Sequence, residues 1–160
     1  MNYTISDLIQ KLIDIEKDIL STLKRIEYLP QNKLQVVGII ARAIEKQEQK
    51  HIQYYEQIKK NLCGELNETI DFFFYDKVAK LLYEFRSHIQ EHPQINNAQD
   101  LIKYVVELKK DNIGLLLDIQ GRLLGKADDV NNNVYKVIAQ IIKEEEKQEK
   151  MFVQLVKTKN

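Results

Sequence analysis

The sequence has no tryptophan, one cysteine, two prolines and five glycines in 160 residues. A single thiol, Cys63, excludes an intrachain disulfide and fits a reducing compartment. So few prolines and glycines leave few places for turns, which argues for long helices. An excess of one charge sign is missing as well. Lys plus Arg and Asp plus Glu both number 24, so no net field draws the chain to nucleic acid or to an anionic membrane. No apolar run approaches the roughly 18 to 20 residues of a spanning helix. The opening MNYTISDLIQ lacks the cationic start and apolar run of a signal peptide. Nothing resembles a phosphate-binding loop or a hydrolase triad. These absences imply a soluble, cytoplasmic protein of one domain, spanning residues 1–160 and large enough to bury a core.

What is present is helical patterning. Lys, Glu, Gln, Ile and Leu dominate and period-two alternation is scarce, so the expected class is all-α. Punctuation predicts five helices: Ser6 or Asp7, the N-cap candidates, to Glu27; Gln31 to Asn61; Thr69 to Glu91; Ala98 to Leu124; and Asn132 to Lys157. Pro30, Gly64, Pro93 and Gly125 mark the breaks between them.

Apolar residues at spacings of three and four define each inward stripe. The first helix gives Ile5, Ile9, Leu12, Glu16, Ile19, Leu23 and Ile26. The second gives Leu34, Val37, Ala41, Ile44, Glu48, His51, Tyr55, Ile58 and Leu62. The last gives Val134, Val137 or Ile138, Ile141, Glu145, Gln148, Phe152 and Leu155. In each, polar residues interrupt the middle of the stripe and apolar residues resume on both sides. A lone buried carboxylate is costly unless it is paired or bound to a metal. Three helices with Glu near mid-stripe therefore point to carboxylates that meet one another.

The chain also repeats itself. IEKQEQKHIQYY superposes on IIKEEEKQEKMF, and LIDIEKDILSTL on VVELKKDNIGLL, which pairs Glu16 with Lys109. Two helical hairpins, helices one and two and helices four and five, are thus joined by a crossover that holds helix three.

In these features the chain resembles the ferritin-like superfamily, most closely its rubrerythrin-type branch. The resemblance implies a four-helix bundle of two hairpins, here with an additional crossover helix, and a central two-iron site. Each hairpin of that family supplies one Glu from its first helix and Glu-x-x-His from its second. The matching positions are Glu16, Glu48 and His51 in the first half, and Lys109, Glu145 and Gln148 in the second. Two of six ligands are thus replaced, and both belong to the second iron. A Cys-x-x-Cys electron-transfer module is absent.

Four carboxylates balance two divalent ions. Three carboxylates and one ammonium leave a charge that one divalent ion neutralises. The resemblance accordingly implies a single iron, or another divalent transition metal such as Mn or Zn, among Glu16, Glu48, His51 and Glu145, with Lys109 in the second ion's place and bonded to Glu48 or Glu145. Redox activity toward oxygen or peroxide would follow from it. A two-metal oxidase is a further reading, which Lys109 opposes. The alternative needs no metal: a protonated His51 joins Lys109 against the three carboxylates in a buried ionic network, within a non-catalytic structural or partner-binding module.

Helix three carries the most aromatic stretch, DFFFYDKVAKLLYEF. Phe73, Tyr75 and their neighbours either cover one side of the bundle or form the face of a homodimer. His88 and His92 fit a solvated helix end near the negative pole of its dipole. Tyr54, Tyr55 and Tyr104 are read as packing residues of the helix faces.

Overall fold

The structure, a computed structural model, describes residues 3–29, 36–61, 69–89, 94–123 and 133–158. Those residues form five helices: α1 (Ile5–Tyr28), α2 (Val36–Asn61), α3 (Phe72–Ile89), α4 (Ala98–Arg122) and α5 (Asn133–Thr158). The all-α expectation holds except for one short bridge. Strand β1 (Tyr3–Thr4) pairs antiparallel with β2 (Thr69–Ile70), Tyr3 opposite Ile70. Leu34, Leu62, Cys63, His92 and the breaks at Pro30, Gly64, Pro93 and Gly125 lie outside the described residues, as does the side chain of Leu155.

Two helix starts differ from expectation, each for a local reason. The N-cap of α1 is Thr4, not Ser6 or Asp7. Its hydroxyl accepts from the Asp7 amide at 3.3 Å, and the Asp7 carboxylate accepts from the Thr4 amide at 2.8 Å. This reciprocal pair satisfies two amide donors that the first turn leaves open. The third helix begins at Phe72 rather than Thr69, because Thr69 and Ile70 are held by β1 and Asp71 accepts from the Phe74 amide at 3.1 Å.

The stripes read from the sequence are the core. In α1, Ile5, Ile9, Leu12, Ile19, Leu23 and Ile26 are buried. Val37, Ala41, Ile44, Tyr55 and Ile58 follow from α2, and Val134, Val137, Ile138, Ile141 and Phe152 from α5. Each large apolar side chain so placed contributes about 1.5–3 kcal/mol relative to exposure. The first hairpin runs antiparallel. Lys59, late in α2, donates to Gln10, early in α1, at 2.7 Å, and Arg42, early in α2, pairs with Glu27, late in α1, at 2.9 Å. The α4–α5 hairpin packs against it, and α3 lies along α1 and α4. Arg86 ties α3 to Asp18 of α1 at 2.6 Å. Tyr75 stacks on Tyr3 with centroids 3.7 Å apart, whereas Phe73 and Tyr83 stand 74% exposed.

Glu27 and Glu45, from facing turns of α1 and α2, are both buried. Burial raises the Glu45 carboxyl to about 7, helped by its hydrogen bond to Glu27; that bond and the Arg42 guanidinium hold Glu27 below its ordinary value, and Lys24 and Arg42 temper the rise at Glu45. A raised folded-state value stabilises below the unfolded value of 4.5 and is lost as pH climbs through about 7. Glu45→Gln preserves the protonated form. It should match the parent near pH 5 and exceed it at pH 8 by about 1 kcal/mol, after discounting for solvent screening. Urea midpoints at the two pH values read the difference, and equal midpoints at pH 8 would refute it.

Candidate metal centre

Four helices each deliver polar side chains to the same level, midway along the bundle. Glu16 comes from α1, Glu48 and His51 from α2, Lys109 and Asn112 from α4, and Glu145 from α5. Glu48 and His51 share a face of α2 because residues three apart lie about one turn apart. The same spacing brings Lys109 and Asn112 together on α4. Glu16, Glu48, Lys109 and Glu145 are fully buried, and His51 is 2% exposed. All four residues expected to hold a metal therefore meet, together with the cation expected to displace one.

Lys109 sits among the three carboxylates. Its Nζ lies 2.8 Å from Glu48 Oε1, 3.4 Å from Glu16 Oε2 and 3.4 Å from Glu145 Oε2. Burial alone would depress this ammonium, but Glu145, Glu16 and Glu48 together hold its pKa above the ordinary lysine value. The amine is charged. Its nearest partner is Glu48, one of the two carboxylates named for it from the sequence.

His51 lies between Glu16 and Glu145. Its Nδ1 is 3.4 Å from Glu16 Oε2 and its Nε2 is 3.3 Å from Glu145 Oε1, yet neither nitrogen has a hydrogen-bond partner among the described residues. Burial pushes the imidazole below its usual value, outweighing the attraction of Glu145, which favours the neutral, ligating form. Burial and the neighbouring Glu145 charge raise the Glu16 carboxyl well above its ordinary range, against the pull of Lys109. Burial acts the same way on Glu145, but Lys109 and His51 more than offset it and hold that group low.

Glu16, His51 and Glu145 each offer one donor atom, and these atoms lie within 4.8 Å of one another, so the group could hold a metal ion. Glu48 is in the cluster but not in that set: one oxygen faces Lys109, and Oε2 has no hydrogen-bond partner among the described residues. Gln148, the residue expected from the sequence at the second His position, is 7% exposed, and its Oε1 likewise has no hydrogen-bond partner among the described residues.

Two members of the site escape a reading of the sequence. Asn112 donates to Glu16 Oε1 at 3.0 Å, and the Tyr55 hydroxyl donates to Glu145 Oε1 at 2.5 Å. Asn112 follows Lys109 by three, so its place on the inner face was available as a signal. Tyr55 was legible as a stripe residue, but the partner of its hydroxyl was not. Burial, then the nearby Glu145 charge, raises the Tyr55 pKa well above the ordinary tyrosine value, so the phenol keeps its proton and orients the carboxylate.

No helix among the described residues is long and apolar enough to cross a membrane. Compared with protein-family models, with curated proteins and with solved structures, the chain finds no match.

Proposed function

We propose that this chain is a ferritin-like, rubrerythrin-type protein that binds one divalent transition metal at Glu16, His51 and Glu145, with Lys109 standing in place of a second ion. One observation carries the reading: three helices aim a neutral imidazole and two carboxylates at a common point, and both imidazole nitrogens lack a hydrogen-bond partner. Buried polar atoms are nearly always satisfied; each ring nitrogen faces a carboxylate oxygen without making a hydrogen bond, and the one that carries the lone pair can accept a Lewis acid shared with those carboxylates. Imidazole with carboxylates suits iron, manganese or zinc. An iron bound there would supply one-electron chemistry toward oxygen or peroxide. This chain's residues bind and orient it, with Tyr55 fixing Glu145 and Asn112 fixing Glu16.

The competing reading is a module without metal whose buried charges serve the fold alone. It rests on Lys109 touching all three carboxylates, so that the cluster is partly neutralised by the protein itself. Metal content per chain separates the two. Protein purified without chelators and then loaded anaerobically with ferrous ion should carry one metal per chain by mass spectrometry. None under either condition would leave the ionic network standing and the metal reading refuted.

Homodimer formation through α3 belongs to the same proposal, supported by the exposure of Phe72, Phe73 and Tyr83. Sedimentation should then give twice the 18.9 kDa of one chain, and Phe73→Glu should shift the population to monomer. A monomer before substitution would count against pairing.

A further inference from the structure

Helix α2 packs on α1, and α5 on α4, more closely than α2 and α5 pack on each other, leaving a furrow between α2 and α5. Two cavities occupy it and share Gln47 and Met151 as walls. The first, of about 300 Å³, has a floor of buried Ile44, Ile102 and Phe152 and sides of half-buried Ile40 and exposed Ala43. Among the described residues, Gln47 is its one polar lining side chain. The second, of about 260 Å³, lies further along α2, over His51 and Gln148, and is bordered by the exposed Lys50 and Lys147 and the half-buried Glu144. The His51 nitrogens and Gln148 Oε1 beneath it have no access to water, so a molecule in the furrow stays outside the metal cluster.

The furrow is therefore apolar at one end and cationic at the other. Two ammonium groups against one carboxylate leave an excess of one positive charge, which favours an anion. Neither lysine is held in an ion pair among the described residues. A wholly apolar guest would leave that charge unanswered, and a small inorganic anion would leave the apolar floor facing water. A guest with both parts answers both. From Ile40 to Lys50 is ten residues, about 15 Å along the helix. An extended acyl chain advances about 1.3 Å per carbon, the projection of a C–C bond of about 1.5 Å, so about twelve carbons span the furrow.

We propose that this furrow binds an amphipathic anion, a single-chain acyl carboxylate of about ten to twelve carbons. Its chain lies over Ile44, Ile102 and Phe152, and its carboxylate lies between Lys50 and Lys147. The site is separate from the metal cluster and stands whether or not an ion is bound there.

The test is calorimetric titration of the full chain, as purified, with hexanoate, octanoate, decanoate, dodecanoate and tetradecanoate, and with decanol as the uncharged control. Affinity should rise roughly two- to fourfold per added CH₂, because a half-open furrow buries only part of each, and should level off beyond about twelve carbons. Decanoate should bind about five- to tenfold more tightly than decanol, exposed ion pairs being modest. The K50A/K147A double variant, altered only at exposed positions, should erase that preference and leave decanol unchanged. Ala43→Phe, which fills the apolar cavity from an exposed position, should weaken every chain at least about tenfold without lowering the melting temperature. No saturable binding of decanoate below about 1 mM, or binding that Ala43→Phe leaves intact, overturns the proposal. Equal affinity for decanol and decanoate overturns it too, as does affinity that keeps rising beyond dodecanoate, the mark of an unbounded surface. A parent dimer that Ala43→Phe converts to monomer would assign the furrow to a second copy of the chain and overturn the acyl ligand.

Discussion

Replacing Lys109 by glutamate is expected to raise the metal content from one divalent ion per chain to two, and to make folding depend on those ions. The ammonium lies 2.8 Å from Glu48 and 3.4 Å from both Glu16 and Glu145, with no access to water. It is the only fixed positive charge in contact with three buried carboxylates among the described residues. Removing one partner of a buried charge cluster costs about 3–5 kcal/mol, because the remaining charges are left uncompensated. A fourth carboxylate at the same point adds repulsion to that loss. Without metal the variant should therefore melt far below the parent, and it should take up protons to relieve the repulsion. With metal, four carboxylates and two divalent ions are again neutral, and stability should return. Metal analysis and thermal melts with and without chelator measure both parts. If the variant binds no second ion, Lys109 does not occupy an ion's place. The account of this cluster as an inherited two-metal geometry would then be wrong.

His51→Leu should have the opposite character, abolishing metal binding while leaving the metal-free fold nearly intact. The imidazole is neutral, lies within 4.5 Å (ring centroids) of Tyr55, and makes no hydrogen bond through either nitrogen among the described residues. Leucine of similar volume relieves an unsatisfied polar group, so the metal-free protein should change by less than about 1.5 kcal/mol. The ion, however, loses its one nitrogen donor and is left with two carboxylates beside an ammonium. Affinity should fall at least ~100-fold. At a free metal concentration one hundred times its dissociation constant, the parent gains about 2.7 kcal/mol, or roughly 5–10 °C in melting temperature. The variant should show none of that gain. Metal-dependent stabilisation that survives in His51→Leu would place the ion elsewhere.

The two substitutions together separate the roles of the cluster. Lys109→Glu tests whether the protein's own cation substitutes for a metal. His51→Leu tests whether the group of Glu16, His51 and Glu145 binds one. In a purely ionic network with a charged His51, both changes would remove a cation and both would destabilise the metal-free protein. The lowered His51 value predicts that only the lysine change does so.

Much of this was legible in the chain itself. The period of the apolar residues determined the helices and their inner faces, because a helix must bury its apolar stripe and the stripe is a local property of the sequence. Glu16, Glu48 and Glu145 each interrupt a stripe at mid-helix, which was enough to bring them to a common level once the helices packed side by side. Helix starts were less legible. Thr4 caps α1 through an Asp three residues on, and the start of α3 is displaced by pairing with the N-terminal strand, a contact across more than sixty residues of chain.

What the tertiary structure alone decided is who meets whom. Glu45 and Glu48 are both buried glutamates of α2, three residues apart, yet one is coupled to Glu27 and the other faces Lys109. The sequence distinguishes them by a stripe position only. Their partners depend on the rotation and register of other helices, which are set by the fit of all the side chains at once. The same holds for the Tyr55 bond to Glu145, the Asn112 bond to Glu16 and the cleft over His51 and Gln148. Local periodicity fixes which side of a helix is inside. Only packing fixes what it finds there.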